Sequence, residues 1–318
     1  MKTKLSSVFI LLMTAAIWGF AFVAQVVGGE SLGPFWFNAI RFFIGGVVLL
    51  PVVFFAEHVK NEKGRHVTLL AGIVAGVILC AASNLQNTGI NITGSSGRAG
   101  FITALYTVLV PLFGALFLKK HTNRHMWIGA VMALVGLFLI LSGGMTSSDT
   151  PLVTLALDMT FRAGKPLHGT LSVGLGDVVL LLCAVGYTAH ILFLDTFSAA
   201  VYPIRFSCIQ FFTACLLSLV LAVIKEPFST AAVSNAMLPL LYTGILSTGV
   251  AFTTQLIGQK GAEPTVAAIV MSTESIFAAL GGALLLHERL SAAAYIGCAV
   301  IFAGIVLAQI PVKKNTDR

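Results

Sequence analysis

Runs of twenty or more mostly apolar residues, separated by short polar connections, recur along the whole chain. A helix rises 1.5 Å per residue, so ~20 such residues cross ~30 Å of hydrocarbon. Ten stretches meet that measure, at 5–27, 34–56, 67–88, 98–118, 124–142, 176–197, 202–224, 237–257, 264–286 and 291–310. None alternates polar and apolar positions over ~10 residues as a barrel strand does. The pattern predicts an all-α membrane protein of ten transmembrane helices. The first run follows Met1-Lys2-Thr3-Lys4, as a secretory signal would, but it is too long, and Phe22-Val23-Ala24 lacks a small residue at both cleavage positions. It is read as a retained helix. The longest connection, 143–175, is rich in Pro, Gly, Ser and Thr and reads as an extracytoplasmic linker, with Leu152–Met159 as either a short strand or a surface helix.

Composition agrees and adds direction. Of 318 residues, 57% are hydrophobic and 10% charged, against about 25% charged in a soluble domain. A disordered chain, poor in apolar residues, is excluded as well. Lys and Arg number 19 against 12 Asp and Glu, yet no basic block is dense enough to meet nucleic acid. The excess sorts by side instead. With the N-terminus inside, thirteen Lys and Arg fall on inner segments and five on outer ones, leaving Arg41 within a span. Positive residues mark the cytoplasmic face, so a multi-pass protein of the cytoplasmic membrane with both termini cytoplasmic is predicted. Cys80, Cys183, Cys208, Cys215 and Cys298 lie in apolar spans without ligand spacing, so neither a disulfide framework nor a metal site is expected.

The chain also aligns with itself at an offset of 168–169 residues. Gly114-Ala115-Leu116 falls on Gly282-Ala283-Leu284, Ile128-Gly129 on Ile296-Gly297, and Gly136 on Gly304. Ile40, Phe42 and Phe43 fall on Ile209, Phe211 and Phe212, with Arg41 opposite Gln210, Gln86 opposite Gln255, Leu11 opposite Leu180 and Trp18 opposite Tyr187. Each half holds five predicted spans. An odd number inserts the second copy upside down, so two inverted five-helix repeats are expected, at 1–142 and 176–318. Inverted repeats around a midplane site are a carrier architecture.

Three segments then carry a family resemblance: Asn38-Ala39-Ile40-Arg41-Phe42-Phe43, the run Phe101-Ile102-Thr103-Ala104-Leu105-Tyr106 leading to Val110-Pro111, and Glu274-Ser275-Ile276-Phe277-Ala278-Ala279-Leu280 followed by His287-Glu288-Arg289-Leu290. They resemble the EamA transporters of the drug/metabolite transporter superfamily over nearly the whole chain. The resemblance implies a ten-helix exporter or exchanger of small metabolites, energised by gradients and not by ATP. Two departures stand out. Lys119-Lys120-His121-Thr122 replaces a Gly-Glu-Arg-Leu common in the family, and Glu274-Ser275 replaces Glu-Pro.

Ionisable residues in hydrocarbon are expensive and face a protein interior or a cavity. Glu274, about ten residues into its span and so ~15 Å deep, is either a coupling-proton or cation acceptor or a structural carboxyl bonded to a neighbour. Arg41 either receives a substrate carboxylate, snorkels outward, or pairs with Glu274 as a gate. His190 is a proton relay or a packing residue. Asn84, Gln86 and Asn87, with Thr253, Thr254 and Gln255 in the matching place, either bind substrate or join helices. Trp18, Tyr187 and Tyr106 either line a cavity or pack. Asp177 and Asp195 read as interfacial, and Pro111 as a kink.

No GxxxxGK[ST] phosphate loop, HExxH or GxSxG occurs. The reading is a secondary transporter, not an enzyme, exporting or exchanging a small metabolite such as an amino acid by alternating access, with Glu274, Arg41 and His190 as candidates for coupling or gating and a proton as the candidate coupling ion. Candidate cavity residues are Trp18, Gln86, Tyr106, Tyr187 and Gln255. The alternatives are a membrane-embedded enzyme and an exchanger of phosphorylated or sugar-linked metabolites, the latter wanting clustered Lys and Arg in the cavity. Partners are a small-molecule solute and the lipid bilayer, with a homodimer left open; no nucleic acid and no cofactor is expected.

Overall fold

The computed structural model describes residues 5–55, 62–118, 124–142, 151–160, 166–197, 199–260, 270–271, 273–287 and 291–308. Helix boundaries follow the chain's own punctuation. Helix α1 (Leu5–Gly29) ends in the Gly28–Gly33 turn, and Pro34 opens α2 (Pro34–Phe55). Proline fits a first helical turn because its missing N–H would be unpaired there anyway. Helix α3 (Glu62–Thr93) runs to Gly94, whose φ of 63° only glycine adopts easily. Ser95 then caps α4 (Ser96–Thr103) by accepting from the Arg98 N–H.

The fourth predicted span is broken. Between α4 and α5 (Tyr106–Leu118), the N–H groups of Leu105, Thr107 and Val108 reach carbonyls three residues back. Pro111, inside α5, removes one further helical donor. Helix α6 (Arg124–Ser142) follows. The second half holds α7 (Leu175–Phe197), α8 (Pro203–Lys225), α9 (Thr230–Asn235) and α10 (Met237–Leu241). A π-helical segment, Tyr242–Ala251, leads into α11 (Phe252–Lys260). Then come α12 (Glu274–Leu285) and α13 (Ala292–Ala308).

The fold is a helical membrane protein, but the all-α expectation needs one correction. The 143–175 connection carries an antiparallel hairpin, β1 (Pro151–Thr160) with β2 (Pro166–Gly174), in which Leu155 pairs Leu171 and Asp158 pairs His168. Pairing of the two segments as antiparallel strands decides the open choice at Leu152–Met159 in favour of a strand. Residues 143–150 and 161–165 of that connection lie outside the described residues. So do Lys119-Lys120-His121-Thr122, Glu288-Arg289-Leu290, residues 264–269 of the ninth predicted span, and the Lys313-Lys314 tail.

Seven helices are long and apolar enough to cross a membrane, the broken α4–α5 pair and the α10–α11 run each counting as one. Shorter apolar helices at Trp127–Gly136, Glu274–Leu285 and Tyr295–Gly304 fall in the remaining predicted spans. The polarity is inside out. Phe9, Phe43, Phe54, Leu116, Phe117, Trp127, Val223 and Leu284 are exposed, while Asn38, Arg41, Ser83, Asn84, His190, Gln210 and Glu274 are buried. Water would strongly disfavour such a surface; hydrocarbon favours it.

Two equivalent helix pairs pack on each other, α2 on α8 and α6 on α13, while α3 lies on α7 as α11 lies on α1. Phe42 stacks on Phe211 at 6.3 Å, and Phe43 meets Phe212 edge-on at 6.4 Å. A Cβ added at Gly89 would stand 2.6 Å from Leu180 Cγ, and one at Gly258 2.8 Å from Leu11 Cγ. Likewise Gly76 sits against the carbonyl of Gln210 and Gly244 against that of Arg41. Each of these two glycine contacts between the halves recurs with its residues exchanged.

Candidate functional site

A cavity of about 510 Å³ of non-atom space, counted out to its mouth, lies between helices of both halves. All eight residues singled out from the sequence line it: Trp18, Gln86, Tyr106, Tyr187, Gln255, Glu274, Arg41 and His190. They come from α1, α2, α3, α5, α7, α11 and α12, so no single segment of sequence contains the site.

Its centre is a hydrogen bond between equivalent positions of the two halves. The Tyr106 hydroxyl donates to Glu274 Oε2 at 2.8 Å, and the residues are 168 apart, the offset that lays Gly114 on Gly282. Each opens a helix after a turn: Tyr106 begins α5, and Glu274 begins α12 just after the turn at Thr273. A helix N-terminus favours the carboxylate there. Both side chains are buried, at 6% and 7% exposure.

Around this pair stand two matched walls, each built from both halves. The Tyr187 hydroxyl donates to Gln86 Oε1 at 3.1 Å and lies 3.1 Å from Ser83 Oγ. On the opposite wall Trp18 Nε1 donates to the Ser247 carbonyl at 3.1 Å and packs edge-on to Phe252 at 4.8 Å. The Ser247 carbonyl belongs to the π-helical segment. Such segments loosen the i→i−4 ladder and recur at functional sites. Gln255 offers Nε2 to Met271 Sδ at 3.9 Å, while its Oε1 has no partner among the described residues.

The charged groups are kept apart. His190 Nε2 is 3.0 Å from Gln210 Oε1, and the ring meets Phe252 edge-on. Arg41 Nη1 donates to Gln25 Oε1 at 3.3 Å, and its guanidinium carbon stands 4.9 Å from the Phe42 ring centroid. Arg41 is 2% exposed, and its Nε and Nη2 have no hydrogen-bond partner among the described residues. It therefore does not snorkel, and no ion pair joins it to Glu274 among the described residues. Tyr187 and Cys183 are its polar neighbours.

The amides divide. Asn84 joins three helices: its Nδ2 reaches the Cys80 carbonyl and Ser218 Oγ, while its Oδ1 accepts from Asn38. Asn87 donates to Asn38 at 3.3 Å. Both hold the bundle together, whereas Gln86, on another face of α3, lines the cavity.

Gln25, Ser247 and Phe252 line the cavity too and were not singled out from the sequence. Gln25 lies seven positions after Trp18, two helical turns along the same face, so the signal was available. Ser247 contributes through its backbone, which no side-chain pattern marks. Asp177, in the first turn of α7, is 1% exposed and holds Arg98, likewise 1% exposed, through both carboxylate oxygens. Arg98 Nε donates to Oδ1 at 2.6 Å and Nη2 to Oδ2, and the Gly174 N–H adds a bond at 2.9 Å. This pair ties α4 to α7 where the hairpin enters the bundle. At the same end, the Glu226 carboxylate accepts from the N–H groups of Phe35 and Trp36 and so caps α2.

A model of the EamA-like transporter family matches residues 5–142 and 174–309. An uncharacterized transporter of Archaeoglobus fulgidus is 27% identical over 305 residues, covering 95% of this chain and 85% of that protein. The uncharacterized transporter YwfM of Bacillus subtilis is 26% identical over 319 residues, 99% of this chain and 98% of that one. The Escherichia coli inner membrane transporter YedA is 28% identical over 136 residues, 42% of each chain. A solved crystal structure superposes with TM-score 0.68 over 96% of this chain and 97% of that one at 20% identity, a likeness of fold.

Proposed function

The chain belongs to the EamA-like transporter family, and from that membership and the cavity we propose that it is a secondary active transporter working by alternating access. It exports or exchanges a small metabolite such as an amino acid or a related compound. In this reading ten spans form two inverted five-helix halves, 1–142 and 176–318, joined by the extracytoplasmic linker 143–175, with both termini cytoplasmic. The exchange of partners between equivalent contacts supports it, because two similar halves around one site can trade conformations and open the site to either side.

The Tyr106–Glu274 bond carries the proposal. It joins equivalent positions of the two halves at the cavity, each at the start of a helix that follows a turn. Rocking one half against the other must change this bond. A Glu274 carboxylate freed from Tyr106 would accept a proton from whichever side the cavity faces and return it on the other. Trp18, Tyr187, Gln86 and Gln255 form the walls that hold the solute, Arg41 sets the charge it must carry, and the His190–Gln210 bond positions α7 against α8. The Arg98–Asp177 pair closes the hairpin end in this state and opens with that side of the bundle.

Set against this stands a membrane-embedded enzyme. Three ionisable residues do line one cavity, but each is bonded to a different neutral residue: Glu274 to Tyr106, His190 to Gln210 and Arg41 to Gln25. General acid–base work requires mutual reach. An exchanger of phosphorylated solutes would use more cations than Arg41, the one Lys or Arg among the described lining residues.

Flux into proteoliposomes, measured with and without an imposed proton gradient, tests the proposal. Wild-type flux is expected to follow the gradient, and Glu274→Gln to lose that dependence while the protein remains folded. Gradient-driven flux that survives Glu274→Gln would remove the carboxylate from the coupling step.

A further inference from the structure

Arg41 carries more than its surroundings satisfy. A guanidinium has five N–H donors in a rigid fork and cannot give up its charge. Gln25 takes one of Arg41's donors, and the Phe42 ring lies beside the cation. The Nε and Nη2 donors, which form one side-on edge of the fork, are buried without a partner among the described residues, in a side chain that lines the cavity. Burying an uncompensated charge in a low-dielectric interior is strongly unfavourable.

The molecule contains its own demonstration of what that edge takes. Arg98 uses the same two atoms, Nε and Nη2, to hold both oxygens of the Asp177 carboxylate. The repeat sharpens the point. Gln210, opposite Arg41 in the other half, carries no charge and is bonded to His190. One half ties this position off; the other leaves a cation with two unmet donors in a residue that lines the cavity.

Resting on the transport reading above, we propose that Arg41 is the anion subsite of the cavity and that the transported solute carries a single carboxylate, held side-on at Arg41 Nε and Nη2. A monoanion matches the charge of one guanidinium, whereas a phosphate ester would leave about one negative charge uncompensated, since phosphates carry about −1.5 to −2 at neutral pH. Beyond the carboxylate, Gln255 lines the cavity with an Oε1 acceptor that has no partner among the described residues, so the solute also carries a hydrogen-bond donor.

The test uses the purified full-length chain and probes sorted by charge. Straight, branched and aromatic monocarboxylates, each paired with its own amide and amine, are screened for a rise in thermal unfolding midpoint, with glycerol 3-phosphate as the phosphate probe. Acids are expected to stabilise the protein where their amides and amines do not. Arg41→Gln, which installs the residue found in the other half, is expected to raise Kd about 30-fold, the ratio typical of losing a buried charged pair. Arg41→Lys restores part of the loss, because a point charge lacks the fork. Should Arg41→Gln fail to fold, the wild-type contrast between each acid and its amide decides alone. Equal stabilisation by amides or amines, silence from every acid, preference for glycerol 3-phosphate, or an affinity unchanged in a folded Arg41→Gln would each overturn the proposal. Solute counterflow separates the two readings. Acid binding without flux removes transport and keeps the subsite; amine flux indifferent to Arg41 removes the subsite and keeps transport.

Discussion

Two arginines are buried in this bundle to nearly the same degree, and they do opposite things. Arg98 meets a carboxylate that answers its geometry with two parallel bonds, in the first turn of a helix from the other half. Arg41 meets a glutamine and an aromatic ring, with two donors left over beside the cavity. Burial depth therefore says little about role. The difference lies in whether the protein itself provides the counter-charge: where it does, the arginine fastens helices, and where it does not, a solute has something to bind.

Removing one partner is the hardest way to break the comparison. Asp177→Asn should destabilise the protein by about 3–5 kcal/mol, because the buried Arg98 would lose the carboxylate that grips it with two bonds; thermal unfolding in detergent measures this. Arg41→Gln should leave the unfolding midpoint level or raise it, since two unmet donors disappear, while solute affinity falls about 30-fold. If both substitutions lower stability equally, the distinction between fastening and binding arginines fails.

The repeat offers a finer test. Gly89→Ala and Gly258→Ala each press a methyl onto the equivalent leucine, Leu180 or Leu11, and overpacking of that kind costs about 1–3 kcal/mol. Similar losses from the two substitutions would fit equivalent packing in the halves, and a large disparity would break it. Smallest is Tyr187→Phe, which removes the bond to Gln86 Oε1 and should cost about 0.5–1.5 kcal/mol. Its effect on solute affinity should be well below that of Arg41→Gln.

Much of this molecule is legible without coordinates, for a physical reason. Hydrocarbon imposes a length and a polarity on each span, and both are local properties of sequence; so are the prolines and glycines that start and stop helices. The offset that matches Gln86 with Gln255 and Trp18 with Tyr187 is also local, because duplication preserves order. That is why the eight residues put forward as cavity, coupling or gating candidates all border one cavity, while Asn84 and Asn87, polar within a span too, join helices. Hydrocarbon leaves such side chains few other places to go.

What the tertiary structure alone decided is partnership. Asp177 and Arg98 stand 79 positions apart, and only the packing of α4 on α7 brings them together. Nothing in the sequence around Arg41 distinguishes a guanidinium bonded to Glu274 from one left with two unmet donors. Hydrogen bonds and ion pairs turn on a few tenths of an ångström between segments distant in sequence, and the same holds for the turn before Tyr106 and the widened helix at Ser247. Sequence placed the charges in the membrane; the fold determined which of them found a counterpart.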